Sequence, residues 1–217
     1  MTDILQKILL FHDQLQTDTH HRYKSWAHCY SYFSGNAIDE DHACLQLAFY
    51  LASWGMYRGS SFLLWKDYLI HREVVRKILT MKQLKSIDFS NSDKQAISDT
   101  IEFVAWIKDW YQQNITHVNG KKSIVNVTDT LATKIILGTL GCIPAYDRYF
   151  IDGLRTGGIG YSSLSKRNFS AVVRFYQSNT PSFNAAQARI QKSSGIFYPA
   201  MKLVDMYFWQ IGYENDH

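Results

Sequence analysis

The sequence predicts an all-α protein with about nine or ten helices. Three observations support this fold class. Apolar residues recur at three- and four-residue steps in nearly every segment, and capping residues stand at the expected segment ends. The one segment with strand character, residues 117–127, is too isolated to form a sheet with neighbours. The 217 residues suit a single domain, 1–217, with possible lobes at 1–90 and 91–217.

The first part of the chain is predicted to contain four helices. Thr17 or Asp18 would cap the second of them, and Gly55 would end the third. The fourth would start at Ser60 or Ser61, with a possible kink near Asp67. The predicted ranges are 3–15, 19–33, 39–55 and about 60–79.

The remaining helices follow a polar break at 86–93. Ser92 would cap a long helix that runs to about Gln113, and Asn119-Gly120 indicates a turn. Thr128 would cap the helix over 129–141, and a short helix would begin near Tyr146. After a glycine-rich connector, the last three helices are predicted at roughly 165–178, 182–193 and 198–213.

Composition excludes several classes of protein and leaves others open. A net charge of +4 permits a polyanionic partner, although no dense block of Lys and Arg demands one. The apolar runs are too short to span a membrane, and the N-terminus does not look like a signal peptide. The three cysteines are far apart, which is typical of free thiols. We therefore expect a cytoplasmic protein without a membrane partner; the oligomeric state cannot be read from the sequence.

The stretch 128–150 contains the strongest functional pattern. Ala132 lies in a predicted helix, Gly141 and Pro144 lie in the loop after it, and Asp147 follows Ala132 by fifteen residues. This arrangement resembles the helix-hairpin-helix superfamily of DNA glycosylases, in which a helix, a Gly/Pro loop and an aspartate at a helix start follow one another. Unlike that family, the preceding hairpin region has no glycine.

The resemblance implies an enzyme that binds DNA between two lobes and removes a damaged or modified base by N-glycosidic hydrolysis. Asp147 would be the catalytic carboxylate, and no cofactor would be needed. The bifunctional members have a lysine two residues before the alanine, where this chain has Thr130. The resemblance therefore implies a monofunctional glycosylase, and Lys134 is expected to contact a phosphate.

Aromatic residues are candidates for the base pocket. They make up 15% of the chain, and amphipathic rings at this density indicate that some line a groove or an interface. An extruded base needs rings on which to stack. We expect Trp54, Tyr57 and Trp26 to provide them.

Two glycine-rich segments are candidates for phosphate contacts. Arg58 stands between Gly55 and Gly59 at the expected start of a helix, where an arginine and free amides would suit an anion. In the connector after Asp147, free amides would lie near Lys166 and Arg167, which are also expected to contact the nucleic-acid backbone.

Less elaborate interpretations stay open. Asp147 could simply cap a helix, a role worth about 1 kcal/mol. The chain could be a non-enzymatic interaction, regulatory or defence-system protein. Arg22 and His28 also have a spacing that resembles the ribonucleases of the HEPN type. The histidines near the N-terminus match no metal-binding motif, so no metal site is predicted.

Overall fold

The computed structural model describes residues 4–85, 87–91 and 94–216. Within these ranges the chain forms eleven α-helices and one two-stranded hairpin, which confirms the all-α prediction. The helices are α1 (Ile4–Gln14), α2 (Ser25–Phe33), α3 (Glu40–Ser53), α4 (Arg72–Thr80), α5 (Lys82–Lys85), α6 (Lys94–Asn114), α7 (Asp129–Thr139), α8 (Arg148–Thr156), α9 (Lys166–Ser178), α10 (Thr180–Ser194) and α11 (Ala200–Glu214). The strands β1 (His117–Val118) and β2 (Lys121–Lys122) pair antiparallel.

Several predicted helix ends are confirmed. Asp39, Thr128 and Ser165 each accept a hydrogen bond from the backbone N–H three residues further on, at the starts of α3, α7 and α9. The predicted Asn119-Gly120 turn joins β1 to β2, and both residues have positive φ, as a tight hairpin turn requires. The predicted cap at Ser92 lies outside the described residues.

Two predicted helices start later than expected. The second helix of the chain, predicted at 19–33, is instead a 3₁₀ turn at Arg22–Lys24 followed by α2. Neither Thr17 nor Asp18 therefore caps it. Between 60 and 79 the chain forms two 3₁₀ turns, Phe62–Trp65 and Tyr68–His71, before α4 begins. Side chains at Ser61 and Asp67 accept hydrogen bonds from N–H groups two residues on, and such local bonds favour turns over a continuous helix.

The hydrophobic core is continuous and includes residues from both halves of the chain. Two helices run through its centre: α7 is buried from Leu131 to Thr139, and α11 from Met201 to Gly212. The three cysteines are free and buried, as predicted. Among the described residues, no helix combines the length and apolar character needed to cross a bilayer. The division into two lobes stays a prediction.

Helices α8 and α11 approach each other at backbone distance. A Cβ atom added to Gly153 would lie 1.8 Å from the carbonyl oxygen of Phe208, and one added to Gly212 would lie 1.9 Å from that of Tyr149. Neither position can therefore carry a side chain without a backbone shift. This contact fixes the start of α8, where Asp147 lies, against α11.

Candidate active site

Asp147 is the N-cap of α8, and it also forms an ion pair. Its Oδ1 accepts a hydrogen bond from the N–H of Phe150 at 3.1 Å. Its Oδ2 lies 2.7 Å from the Nζ of Lys134 on α7. The capping role is thus present, but it uses only one of the two carboxylate oxygens.

Lys134 is almost completely buried, with 2% of its surface exposed. Its amine lies 4.8 Å from the ring centre of Trp54, on the face of the indole. An exposed phosphate contact, as predicted for Lys134, does not fit this position, because the amine is already paired with Asp147 inside the protein. We therefore correct that assignment and place Lys134 beside the carboxylate.

Thr130 lies one helical turn before Lys134 and has a different partner. Its hydroxyl donates to the carbonyl oxygen of Tyr146 at 2.7 Å, so it connects α7 to the loop in front of Asp147. The helical rise places Thr130 and Lys134 about 6 Å apart along the axis. The long Lys134 side chain nevertheless reaches Asp147, so an amine is available next to the carboxylate although Thr130 itself has none.

A second ion pair lies behind the first. Lys202 and Asp205, both on α11, are 2.9 Å apart, with 2% and 3% of their side chains exposed. The other Asp205 oxygen accepts a hydrogen bond from the N–H of Ala145 at 2.9 Å, which holds the loop that leads to Asp147. The Lys202 amine lies 5.3 Å from the ring centre of Trp54, which therefore interacts with two ammonium groups.

The four charges influence one another. Desolvation by burial lowers the pKa of Lys202 from its ordinary value, while the Asp205 charge opposes this effect. Burial likewise raises the pKa of Asp205, with Lys202 acting in the opposite direction and Asp147 in the same direction. Buried ion pairs are costly to desolvate, so two of them in contact with one indole are not explained by stability alone.

A cavity of about 440 Å³ opens in front of the Lys134–Asp147 pair. Aromatic rings form much of its wall: Tyr23 stacks on Trp54 with ring centres 4.2 Å apart, and Tyr149 and Trp209 meet edge to face at 5.1 Å. The volume lies in the range of small-molecule sites. We call this space, lined by Arg22, Tyr23, Trp54, Met56, Arg58, Thr130, Lys134, Asp147, Arg148, Tyr149 and Trp209, the Asp147 cavity.

Three exposed arginines line the Asp147 cavity. Arg22 lies over the Tyr23 ring, with its guanidinium carbon 4.8 Å from the ring centre, and Arg148 is paired with Asp216 at 2.5 Å. Arg58 forms neither an ion pair nor a side-chain hydrogen bond with any residue in the described ranges. The cavity thus combines aromatic walls, a positive rim and an amine–carboxylate pair.

The structure brings together four of the predicted site residues and separates the others. Trp54, Arg58, Lys134 and Asp147 line the same cavity. Trp26 does not: it is 2% exposed and donates its indole N–H to the carbonyl oxygen of Leu137 at 3.0 Å. The prediction that Trp26 lines a base pocket is therefore wrong, since its ring is part of the core.

Lys166 and Arg167 lie away from the Asp147 cavity. Lys166 is paired with Glu102 at 3.0 Å on the surface. Arg167 lines a different cavity of about 560 Å³, together with Arg174. Their predicted contacts with a nucleic-acid backbone would therefore be made outside the cavity that contains Asp147.

Sequence reasoning missed several residues of the site. Tyr23, Tyr149 and Trp209 line the cavity, yet nothing in their spacing distinguishes them from core rings. Asp205 did give a signal, because a carboxylate in so apolar a helix needs a partner. Lys202, three residues earlier on α11, turns out to be that partner.

Tyr57 was predicted to lie in the base pocket, but it belongs to a separate hydrogen-bond chain. Its hydroxyl lies 2.8 Å from the Nε2 of His71, whose Nδ1 lies 2.6 Å from the hydroxyl of Tyr111. Tyr57 does not line the Asp147 cavity. Its ring instead helps to bury His71, which has no exposed surface.

The hydrogen bonds that link Tyr57, His71 and Tyr111 predict a loss of folding stability in weak acid. Burial lowers the pKa of His71 from 6.5 to about 3, so the folded protein holds the ring neutral. The stabilisation is complete above about pH 6.5 and declines by roughly 1.4 kcal/mol per pH unit as the pH falls toward 3. We expect the slope measured by urea denaturation between pH 6 and pH 4 to be smaller in His71→Gln than in the wild type by about this amount. Equal slopes would mean that other groups cause the acid sensitivity.

The remaining predictions are not brought together at one site. Arg22 lines the Asp147 cavity, whereas His28 is exposed on α2 and does not line it. Within the described ranges, no group of three or more histidine, cysteine or acidic side chains could hold a metal ion. Comparisons with protein-family models, with curated proteins and with solved structures found no match. The resemblance to DNA glycosylases consequently stays a hypothesis.

Proposed function

We propose that the protein binds DNA and removes a base by breaking its N-glycosidic bond. The observation that carries the proposal is the Lys134–Asp147 pair, which faces a cavity with aromatic walls and an arginine rim. Each of these features matches one requirement of the reaction. The resemblance of residues 132–147 to DNA glycosylases supports the same conclusion.

The carboxylate suits the charge that the reaction develops. As the bond between sugar and base breaks, positive charge accumulates on the sugar, and a fixed carboxylate stabilises that transition state. Asp147 is held by the N–H of Phe150 through one oxygen, and its other oxygen faces Lys134. It therefore needs little reorganisation when the charge appears.

The rings and arginines suit the substrate. A base must leave the stack of the duplex before it can react, and aromatic side chains can hold it by stacking. Trp54, Tyr23 and Trp209 are the rings nearest to this role. The guanidinium groups of Arg58 and Arg22 are suited to phosphate groups, because arginine can form bidentate hydrogen bonds with two phosphate oxygens.

Lys134 gives the reaction a possible nucleophile, which changes the expectation drawn from Thr130. In this proposal, the bond between the sugar and the base breaks while Asp147 is charged, and the base leaves with the bonding electrons. Lys134 passes a proton through Asp147 to the departing base, and its neutral amine forms a bond to the anomeric carbon. The nitrogen then loses a second proton to Asp147, the bond between the anomeric carbon and the ring oxygen breaks, and the ring oxygen takes up that proton. A protonated imine between Lys134 and the opened sugar remains.

The proposal is tested with duplexes that contain different damaged or modified bases. Alkali cleavage reveals abasic sites, and borohydride reduces an imine to a stable covalent adduct. We expect base release from at least one duplex and an adduct that is absent in Lys134→Met. Base release without an adduct would show that Asp147 activates water instead, which is the monofunctional chemistry. No base release from any duplex would contradict the proposal.

A non-enzymatic role is favoured by one specific observation. Leu45 and Phe49, four residues apart on one face of α3, are 49% and 59% exposed. Neighbouring exposed apolar side chains are typical of protein-interaction surfaces. If this is the function, Asp147→Asn will change only stability, and no duplex will lose a base.

A further inference from the structure

A second cavity adjoins the Asp147 cavity on the other side of Arg58. It has a volume of about 510 Å³, and both Met56 and Arg58 line the two spaces. We call it the flanking groove and define it by Met56, Arg58, Ser60, Trp65, Ile124 and Asn126, which are among its lining residues. A chain-like ligand could pass from one cavity to the other along Arg58.

The flanking groove exposes two large apolar side chains. Trp65 is 53% exposed, and Ile124 is 95% exposed. Trp65 ends the 3₁₀ turn Phe62–Trp65, and Ile124 follows the hairpin. An aromatic ring that borders a groove can bind a planar ligand by stacking.

The hairpin adds positive charge at the edge of the groove. Lys66 donates a hydrogen bond to the carbonyl oxygen of His117 at 2.8 Å, which holds β1 against the segment that contains Trp65. Lys121 and Lys122 on β2 are exposed, and neither is ion-paired within the part of the chain that the structure describes. Among the residues that the structure describes, no acidic side chain lines the groove. These charges favour an anionic ligand.

We propose that the flanking groove binds the nucleotides next to the base held in the Asp147 cavity, on the same DNA strand and unpaired from the opposite strand. Trp65 stacks on the first flanking base, Arg58 contacts the phosphate between the two nucleotides, and Lys121 and Lys122 contact phosphates further along. Stacked rings combined with a positively charged path are the usual basis of sequence-tolerant binding to single strands. This inference rests on the proposed function for its choice of nucleic acid as the ligand.

The inference is tested by fluorescence anisotropy with a short labelled DNA single strand of mixed sequence. We expect Trp65→Ala to weaken binding by about 5-fold to 150-fold, the range expected for loss of one base–aromatic stack. The matched control is Phe49→Ala, which removes an equally exposed ring outside both cavities. The control should bind as tightly as the wild type.

The charges are tested with a salt series. Lys121→Ala/Lys122→Ala should lower the slope of log affinity against log salt by about 1.4, since each phosphate contact on a single strand contributes about 0.7. Lys192→Ala, an exposed lysine on α10, is the control and should leave the slope unchanged.

The possible results separate the inference from the proposed function. Strand binding that depends on Trp65, in a protein that releases no base, would support the groove and contradict the enzyme. Base release by a protein whose strand binding is the same in Trp65→Ala and the wild type would overturn the inference alone. A wild type that binds no single strand would overturn it as well.

Discussion

Asp147→Asn is expected to lower the single-turnover rate of base release by about 100-fold to 1,000-fold. An uncharged amide cannot stabilise the positive charge on the sugar, and loss of one such electrostatic contact commonly raises a barrier by about 2.7 to 4 kcal/mol. The asparagine can still accept the hydrogen bond from the N–H of Phe150, so the start of α8 is preserved. The rate is measured with protein in excess over duplex, by alkali cleavage of the abasic product.

The same substitution also leaves the buried Lys134 ammonium without its carboxylate, at a cost of roughly 3 to 5 kcal/mol of folding stability. The double variant Lys134→Met/Asp147→Asn isolates the stability effect. It removes both charges, so we expect it to recover most of the lost stability in urea denaturation; its rate decides nothing, because Lys134 is itself the proposed nucleophile. The rate of Asp147→Asn is therefore measured at a temperature at which its far-UV circular dichroism matches that of the wild type. A folded Asp147→Asn protein that releases the base as fast as the wild type would show that Asp147 acts only through the fold.

Lys202→Met is expected to lower the free energy of unfolding by roughly 3 to 5 kcal/mol, because it leaves the carboxylate of Asp205 buried and unpaired. Methionine retains much of the length of the side chain, so the loss reflects mainly the charge. The measurement is urea denaturation at neutral pH, with the midpoint and the slope both fitted.

The matched control is a double-mutant cycle with Asp205→Asn. Asparagine can still accept the hydrogen bond from the N–H of Ala145, so the loop before Asp147 keeps its contact. We expect Lys202→Met/Asp205→Asn to cost less than the two single substitutions together, since neither residue is then charged. Strictly additive losses would show that the two side chains do not interact in the folded protein.

Much of the fold could be predicted because its helices are long and periodic. The apolar residues Ile4, Ile8 and Phe11 mark the buried face of α1, and the cap at Thr128 marks the start of α7. The region 60–79 could not be predicted in the same way. There, the short-range bonds accepted by Ser61 and Asp67 override the helical period, and periodicity alone does not report such competition.

The candidate site could be predicted only in part. Asp147, Trp54 and Arg58 were identified because a cap, a ring and a glycine-flanked arginine are local features. The contact between Lys134 and Asp147 depends on how the loop at 140–147 folds back on α7, and no spacing rule supplies that geometry. Trp26 was assigned to the pocket for its aromatic ring alone. The sequence does not show whether such a ring faces a cavity or the core, and in the structure it faces the core.

The glycines at which α8 meets α11 have a consequence for how the site can move. At Gly153 and Gly212, α8 and α11 meet backbone to backbone, so a displacement there cannot be absorbed by a change of side-chain rotamer. Asp147 at the start of α8 and the Lys202–Asp205 pair on α11 therefore behave as parts of one rigid frame. Adaptation to ligands of different shape would then have to come from the part of the cavity wall outside α8 and α11, such as the turn around Arg58. In the proposed reaction, the reacting groups would be held at fixed positions, and recognition of different ligands would depend on this other part of the wall.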